Sequence, residues 1–146
     1  MRLSIAAAAV AACLTSAPLL ATQGWAASQQ FHADLNTAQE GSSAQGNGHG
    51  TFLGTLDTNT GKLTYTLEYS DLTGPATAAH LHGPAPAGKN APVAVPFTGD
   101  LSSPMHGTVT LDKKQMTELE DGQMYANVHT KQNPGGEIRG QVMKGK

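Results

Sequence analysis

The sequence predicts an all-β domain: a Greek-key antiparallel β-sandwich or flattened barrel of about eight short strands, with one short helix. Three observations point there. Runs of apolar–polar alternation recur, most regularly in Leu63-Thr64-Tyr65-Thr66-Leu67-Glu68-Tyr69, and a period of two marks a half-buried strand. Clusters of Gly, Pro, Asn and Asp interrupt these runs at close intervals, as in small sandwiches and barrels. Hydrophobic residues make up 38% of the chain, with a single Trp near the N-terminus. The core is therefore thin and built from Leu, Val, Ile, Phe and Tyr.

The N-terminus is read apart from the fold. Arg2 precedes an apolar run from Ile5 to Val10, continued by Leu19-Leu20, and Gly24 and Ala26 are small residues placed as signal peptidase prefers. This predicts a signal peptide over residues 1–26, cleaved after Ala26, and one exported domain over 27–146, periplasmic or secreted. Thr15, Ser16 and Pro18 break the apolar stretch, which leaves it too short for a membrane span. Val10-Ala11-Ala12-Cys13 resembles a lipobox, giving an alternative in which Cys13 carries a lipid anchor. Cys13 is the only cysteine, so the exported domain has neither disulfide nor thiolate ligand. A formal charge of −2 with no block of like charges argues against nucleic acid or an anionic membrane as partner.

Taken in order, Phe31 to Leu35 alternates and forms the first strand, and the Gly/Ser-rich stretch Gln39 to Gly48 is a loop. Thr51–Leu56 and Leu63–Tyr69 flank the turn Asp57-Thr58-Asn59-Thr60-Gly61 and form a hairpin. After a turn at Asp71–Pro75 comes the strand containing Ala78-Ala79-His80-Leu81-His82. Gly83–Asn90 is a surface loop, Ala91–Phe97 a short run whose Pro96 suggests an edge, and His106–Leu111 a further strand. Asp112–Asp121 is the one helical stretch, with Asp112 as N-cap, Met116 and Leu119 inward and Gly122 as stop. Met124–Thr130 and Glu137–Met143 close the fold across a tight turn at Asn133-Pro134-Gly135-Gly136, whose backbone is expected to shape one wall of a histidine pocket.

The chemistry concentrates on histidines. On an extended strand His80 and His82 share one face while Ala79 and Leu81 take the other. In the penultimate strand Ala126 and Val128 claim the core face, which puts Tyr125, Asn127 and His129 outward. Glu137, Arg139 and Gln141 follow in the last strand. A same-face His-x-His pair with a third outward histidine favours a metal ion, and three neutral imidazoles suit copper, with zinc second. His106 and the thioether of Met105 are candidates for a further ligand. His32 reads as a surface residue, and His49, in a Gly-rich loop, is assigned nothing. Arg139 is expected either in a surface ion pair with Glu137 or Asp121, or as a guide for an anion. No Gly-x-Ser-x-Gly elbow and no phosphate loop occurs, so no catalytic or nucleotide-binding residues are assigned.

These pieces together resemble the CHRD (chordin-type) domain family. The resemblance rests on Leu35-Asn36-Thr37-Ala38-Gln39-Glu40, the strand-turn-strand from Gly50 to Tyr69, AHLHGPA at 79–85, Tyr125-Ala126-Asn127-Val128-His129-Thr130 and NPGGEIRGQV at 133–142. It spans residues 31 to 142 and implies an all-β domain of exported bacterial proteins and extracellular animal proteins. A more distant similarity is to copper/zinc superoxide dismutases, whose copper positions would fall on His80, His82 and His129. The chain departs from them in lacking a zinc-holding His/Asp cluster and a cysteine pair, so this similarity implies copper binding more than dismutation. The expected function is thus an exported copper-binding protein in copper handling or resistance. The alternatives are a metal-free extracellular binding module and a copper-dependent dismutase-like enzyme.

Overall fold

A computed structural model describes residues 27–41 and 43–145; the expected signal peptide and Cys13 lie outside the described residues. In chain order the elements are β1 (Ser28–Asn36), α1 (Thr37–Glu40), β2 (His49–Asp57), β3 (Lys62–Ser70), β4 (Ala76–His82), β5 (Val93–Pro96), β6 (Met105–Thr110), α2 (Lys113–Glu120), β7 (Tyr125–Thr130), β8 (Ile138–Gln141) and β9 (Met143–Lys144). The strands form one antiparallel sheet ordered β5-β4-β7-β8-β1-β2-β3-β6, with β9 beside β1. The sheet curls into a nearly closed barrel. Phe97, just after β5, stacks on Tyr65 of β3 with ring centroids 4.1 Å apart, although those strands lie near opposite ends of the order.

The alternation places the core as expected. Phe31, Ala33, Leu35, Phe52, Leu56, Leu63, Tyr65 and Leu67 are buried on the inner face, with Ala79, Leu81, Ala126 and Val128 from the other half of the barrel. The long β1–β2 and β2–β3 pairings keep a continuous register, since a slip of one residue would turn each apolar set outward. Asp112 caps α2 in a reciprocal capping box with Gln115, Leu119 is fully buried, and Gly122 ends the helix at φ +67°.

Two local features differ from the sequence reading. Residues 37–40 form a single helical turn, because the Asn36 side chain accepts from the Gln39 amide at 2.9 Å. The last strand is divided: Val142 N–H turns to the Met124 carbonyl (2.8 Å), and β9 pairs with β1 at Phe31 and His32. Where β8 meets β1 the backbones come very close. A Cβ on Gly140 would lie 2.4 Å from the Asp34 carbonyl oxygen, so only glycine fits there.

The outer face of β7 and β8 is largely closed to solvent, and that of β4 is half-buried. All six residues of β7 are buried, because two loops fold back over them. The 83–92 loop is tied down by Ala85 N–H to the Gln123 carbonyl (2.9 Å) and by Gln141 Nε2 to the Ala85 carbonyl (3.0 Å). The 131–136 turn covers the other end through Pro134 and Asn133.

Candidate metal centre

The pairing of β4 with β7 sets His82 opposite Tyr125, His80 opposite Asn127 and Ala78 opposite His129. His80 and His129 are therefore diagonal neighbours on one face, and His82 is next along its own strand. Their rings gather with centroids 4.9 to 5.9 Å apart. One ligand nitrogen from each lies within 4.8 Å of the others.

Hydrogen bonds fix which nitrogens face the centre. His82 Nδ1 lies 2.9 Å from the Ala91 carbonyl and His129 Nδ1 lies 3.0 Å from that of Pro134. A carbonyl only accepts, so both Nδ1 atoms carry the proton and both Nε2 atoms present lone pairs. A backbone carbonyl on the far nitrogen is the usual support of a metal-ligating imidazole. His80 Nδ1 sits 3.1 Å from His129 Nε2. Two nitrogens bound at about 2.0–2.1 Å to one ion are separated by about 2.9–3.4 Å at angles between 90° and tetrahedral, so this pair has ligand spacing. In the metal-free protein His80 donates across that gap, and a shift of its proton to Nε2 frees Nδ1 for an ion without changing the ring's charge.

His82 Nε2 is, among the described residues, the one buried side-chain nitrogen with no hydrogen-bond partner. Leaving such a group unmet costs about 1–3 kcal/mol, and a cation at the cluster would satisfy it. Burial, with the neighbouring His129 and His82, pulls the His80 pKa down to about 4. Burial likewise lowers His82 and His129, against the opposing pull of their carbonyl partners. Near neutral pH all three rings are uncharged, the form that ligates metal.

The surroundings correct two expectations about the last strand. Glu137 is fully buried and its carboxylate is consumed by donors from Thr73 N (2.7 Å), Thr73 Oγ1 (2.6 Å), Thr130 Oγ1 (2.5 Å) and Asn133 Nδ2 (2.9 Å). Burial alone would raise its pKa, but these hydrogen bonds outweigh it and lower the value. Arg139 makes no surface ion pair with Glu137 or Asp121. It is buried, lies over the Tyr125 ring, and donates to Asn90 Oδ1 (2.9 Å) and the Lys89 carbonyl. Asn127 donates to Glu40 Oε2 at 2.7 Å. Burial raises the Glu40 pKa, opposed by the nearby Arg139 charge and by this hydrogen bond.

The structure brings His80, His82 and His129 together and leaves the other two ligand candidates elsewhere. Met105 is buried in the core, on the inner face, and His106 is exposed on β6, bonded through Nδ1 to Thr66 Oγ1 at 3.1 Å. His32 is exposed, as expected. His49 lies 3.0 Å from Ser70 Oγ and 3.5 Å from Asp71 Oδ2. With side chains of His49 and Asp71 61% and 68% exposed, these contacts lack the water-excluded setting in which hydrogen-bonded polar groups gain strength. Two supports went unread in the sequence, the Ala91 carbonyl and the Tyr125 ring, which stacks on His82 at 4.9 Å and 6°. The aromatic at 125, in the outward set with His129, was the available signal.

Fold and cluster define a class: a small antiparallel β-barrel with a three-imidazole group on its outer face under two loops. Residues 31–142 match the CHRD domain family, and the chain belongs to it. CHRD domains are generally extracellular. No curated protein and no solved structure was found to match the chain. Among the described residues no helix is long and apolar enough to cross a membrane.

Proposed function

We propose that this CHRD domain is exported and binds one copper ion through His80, His82 and His129, to buffer, carry or detoxify copper outside the cytoplasm. The observation that carries this is the buried, unpartnered His82 Nε2 directed with His129 Nε2 and His80 Nδ1 toward one region. Copper is favoured over zinc because the donor set is all imidazole, with Glu137 already consumed, and a nitrogen site of given geometry binds Cu²⁺ more tightly than Zn²⁺. Export rests on the leader-like stretch ending at Ala26 and on the family's usual location. Metal analysis of protein purified from the periplasm, beside a His80→Ala/His82→Ala variant, tests the reading. About one copper per chain is expected in the parent and none in the variant; equal content in both overturns it. Dismutation is a sub-case, requiring that copper-loaded protein show activity that is lost when His129 is replaced.

The His80–His129 hydrogen bond favours a second reading, in which the cluster is a metal-free anchor for the two loops of an extracellular binding module. It predicts that Cu²⁺ and Zn²⁺ leave the melting temperature unchanged. Copper binding predicts a rise, since an ion at 100 times its Kd adds about 2.7 kcal/mol to the native state.

A further inference from the structure

Arg139 is 3% exposed, and a guanidinium withdrawn from water costs several kcal/mol unless its surroundings compensate. Among the described residues it forms no salt bridge. Its compensation comes from the charge of the nearby Glu40 carboxylate and, in direct contact, from a short stretch of loop and a ring: the Lys89 carbonyl, Asn90 Oδ1, and the face of Tyr125, whose centroid is 3.4 Å from the guanidinium carbon. The strand order β4-β7-β8 sets His82 on the other side of Tyr125, parallel to it. The next loop residue, Ala91, accepts from His82 Nδ1 and from the Tyr125 hydroxyl (3.3 Å), and its own N–H donates to that hydroxyl (3.2 Å). Three consecutive residues, 89 to 91, are thus held at one end by Arg139 and hold His82 at the other.

Resting on the metal-binding reading for its purpose, though not for its geometry, we propose that Arg139 is a positioning residue for His82. By fixing residues 89–91 against Tyr125, it keeps the Ala91 carbonyl on Nδ1. The ring then stays in the Nδ1–H form, and Nε2 is turned bare toward the cluster. An anion-guiding role fits poorly, because Arg139 is 3% exposed, one planar face lies against Tyr125 and each terminal nitrogen already donates to the 89–90 loop. A lysine cannot replace it, since it has no planar fork to span two acceptors while stacking on a ring.

The test uses ¹⁵N-labelled, metal-free protein at neutral pH, with the His82 ring nitrogens read in long-range ¹H–¹⁵N spectra and Zn²⁺ as a redox-silent probe of affinity. The parent is expected to show one tautomer, protonated at Nδ1. In Arg139→Gln the two tautomers mix and Zn²⁺ affinity falls about 10- to 100-fold, the range for lost ligand support, and Arg139→Lys does not restore either. Asn90→Ala, at an exposed position, removes one anchor without touching the core and shifts both readouts the same way by a smaller amount. If Arg139→Gln fails to fold, Asn90→Ala decides alone. A single Nδ1–H tautomer in these variants with affinity within twofold of the parent overturns the proposal. A parent that binds neither Zn²⁺ nor Cu²⁺ overturns the metal reading, and the tautomer measurement still decides the positioning role.

Discussion

Replacing Glu137 by Gln changes one atom in the most densely bonded side chain beside the cluster. Glu137 Oε2 accepts from Thr73 Oγ1, Thr130 Oγ1 and Asn133 Nδ2, and Oε1 accepts from Thr73 N–H. A glutamine keeps its oxygen on the three-donor side and must then face its NH₂ to the Thr73 amide, donor against donor. The loss is one charge-assisted hydrogen bond, about 1.5–3 kcal/mol, plus an unmet buried N–H, about 1–3 kcal/mol. Against it stands the relief of desolvating a charge, worth several kcal/mol per ion in poorly compensated sites; here four donors on the two carboxylate oxygens compensate that penalty. The net expectation is a destabilisation of about 2–3 kcal/mol at pH 7. Urea unfolding should show a lower midpoint with an unchanged slope, and the melting temperature should fall by about 8–12 °C. The difference also has a sign in pH. The folded pKa lies below the unfolded value near 4.5, so the advantage of Glu is full above that value. It shrinks as pH falls through the folded pKa and the parent itself becomes protonated. A variant within 0.5 kcal/mol of the parent at pH 7, or a gap that widens in acid, would refute the reasoning.

The histidine cluster should give the metal-free protein a second acid dependence. His80 titrates near 4 when folded and near 6.5 when unfolded, so the unfolded chain takes up the proton first. The associated stability is complete above about pH 6.5 and is lost progressively toward pH 4. The full gap corresponds to about 3.4 kcal/mol, and the partial exposure of His80 screens it to about 1–2 kcal/mol. Urea titrations between pH 7.5 and 4.5 should show this loss in the parent and a smaller one in His80→Gln. Gly140→Ala sets a Cβ 2.4 Å from the Asp34 carbonyl and must push β1 from β8; a loss of about 2–3 kcal/mol in denaturant unfolding is expected, and an unchanged midpoint would show that the strands can part there freely.

The sequence carries the faces of this protein more clearly than its surfaces. Alternation sorted Ala126 and Val128 from Tyr125, Asn127 and His129 correctly, and likewise His80 and His82 from Ala79 and Leu81, because a pleated strand admits no other arrangement. That was enough to find the three imidazoles, whose meeting needs only that β4 and β7 be neighbours. It could not reveal that the outer side is roofed. Whether a face is wet depends on loops arriving from elsewhere, and nothing periodic in Gly83–Asn90 or in Asn133-Pro134-Gly135-Gly136 announces where those segments land. Alternation alone therefore leaves Glu137 and Arg139 as outward charges, with Arg139 in a surface pair with Glu137 or Asp121 or guiding an anion.

Once that face is covered, its polar residues obey a stricter rule than surface residues do, since each must find a partner within the protein. Glu137 finds four donors, Arg139 two acceptors and a ring, and Asn127 Glu40 and the Ile138 carbonyl. The Glu137 and Arg139 pairings immobilise loops on the sheet, and two of those loops place the carbonyls of Ala91 and Pro134 on the far nitrogens of His82 and His129. The buried charges and the imidazole cluster are therefore one construction. The polar layer directs ring nitrogens toward the cluster, and it leaves on His82 a lone pair that no protein donor meets, in a group of three imidazoles that could hold a metal ion.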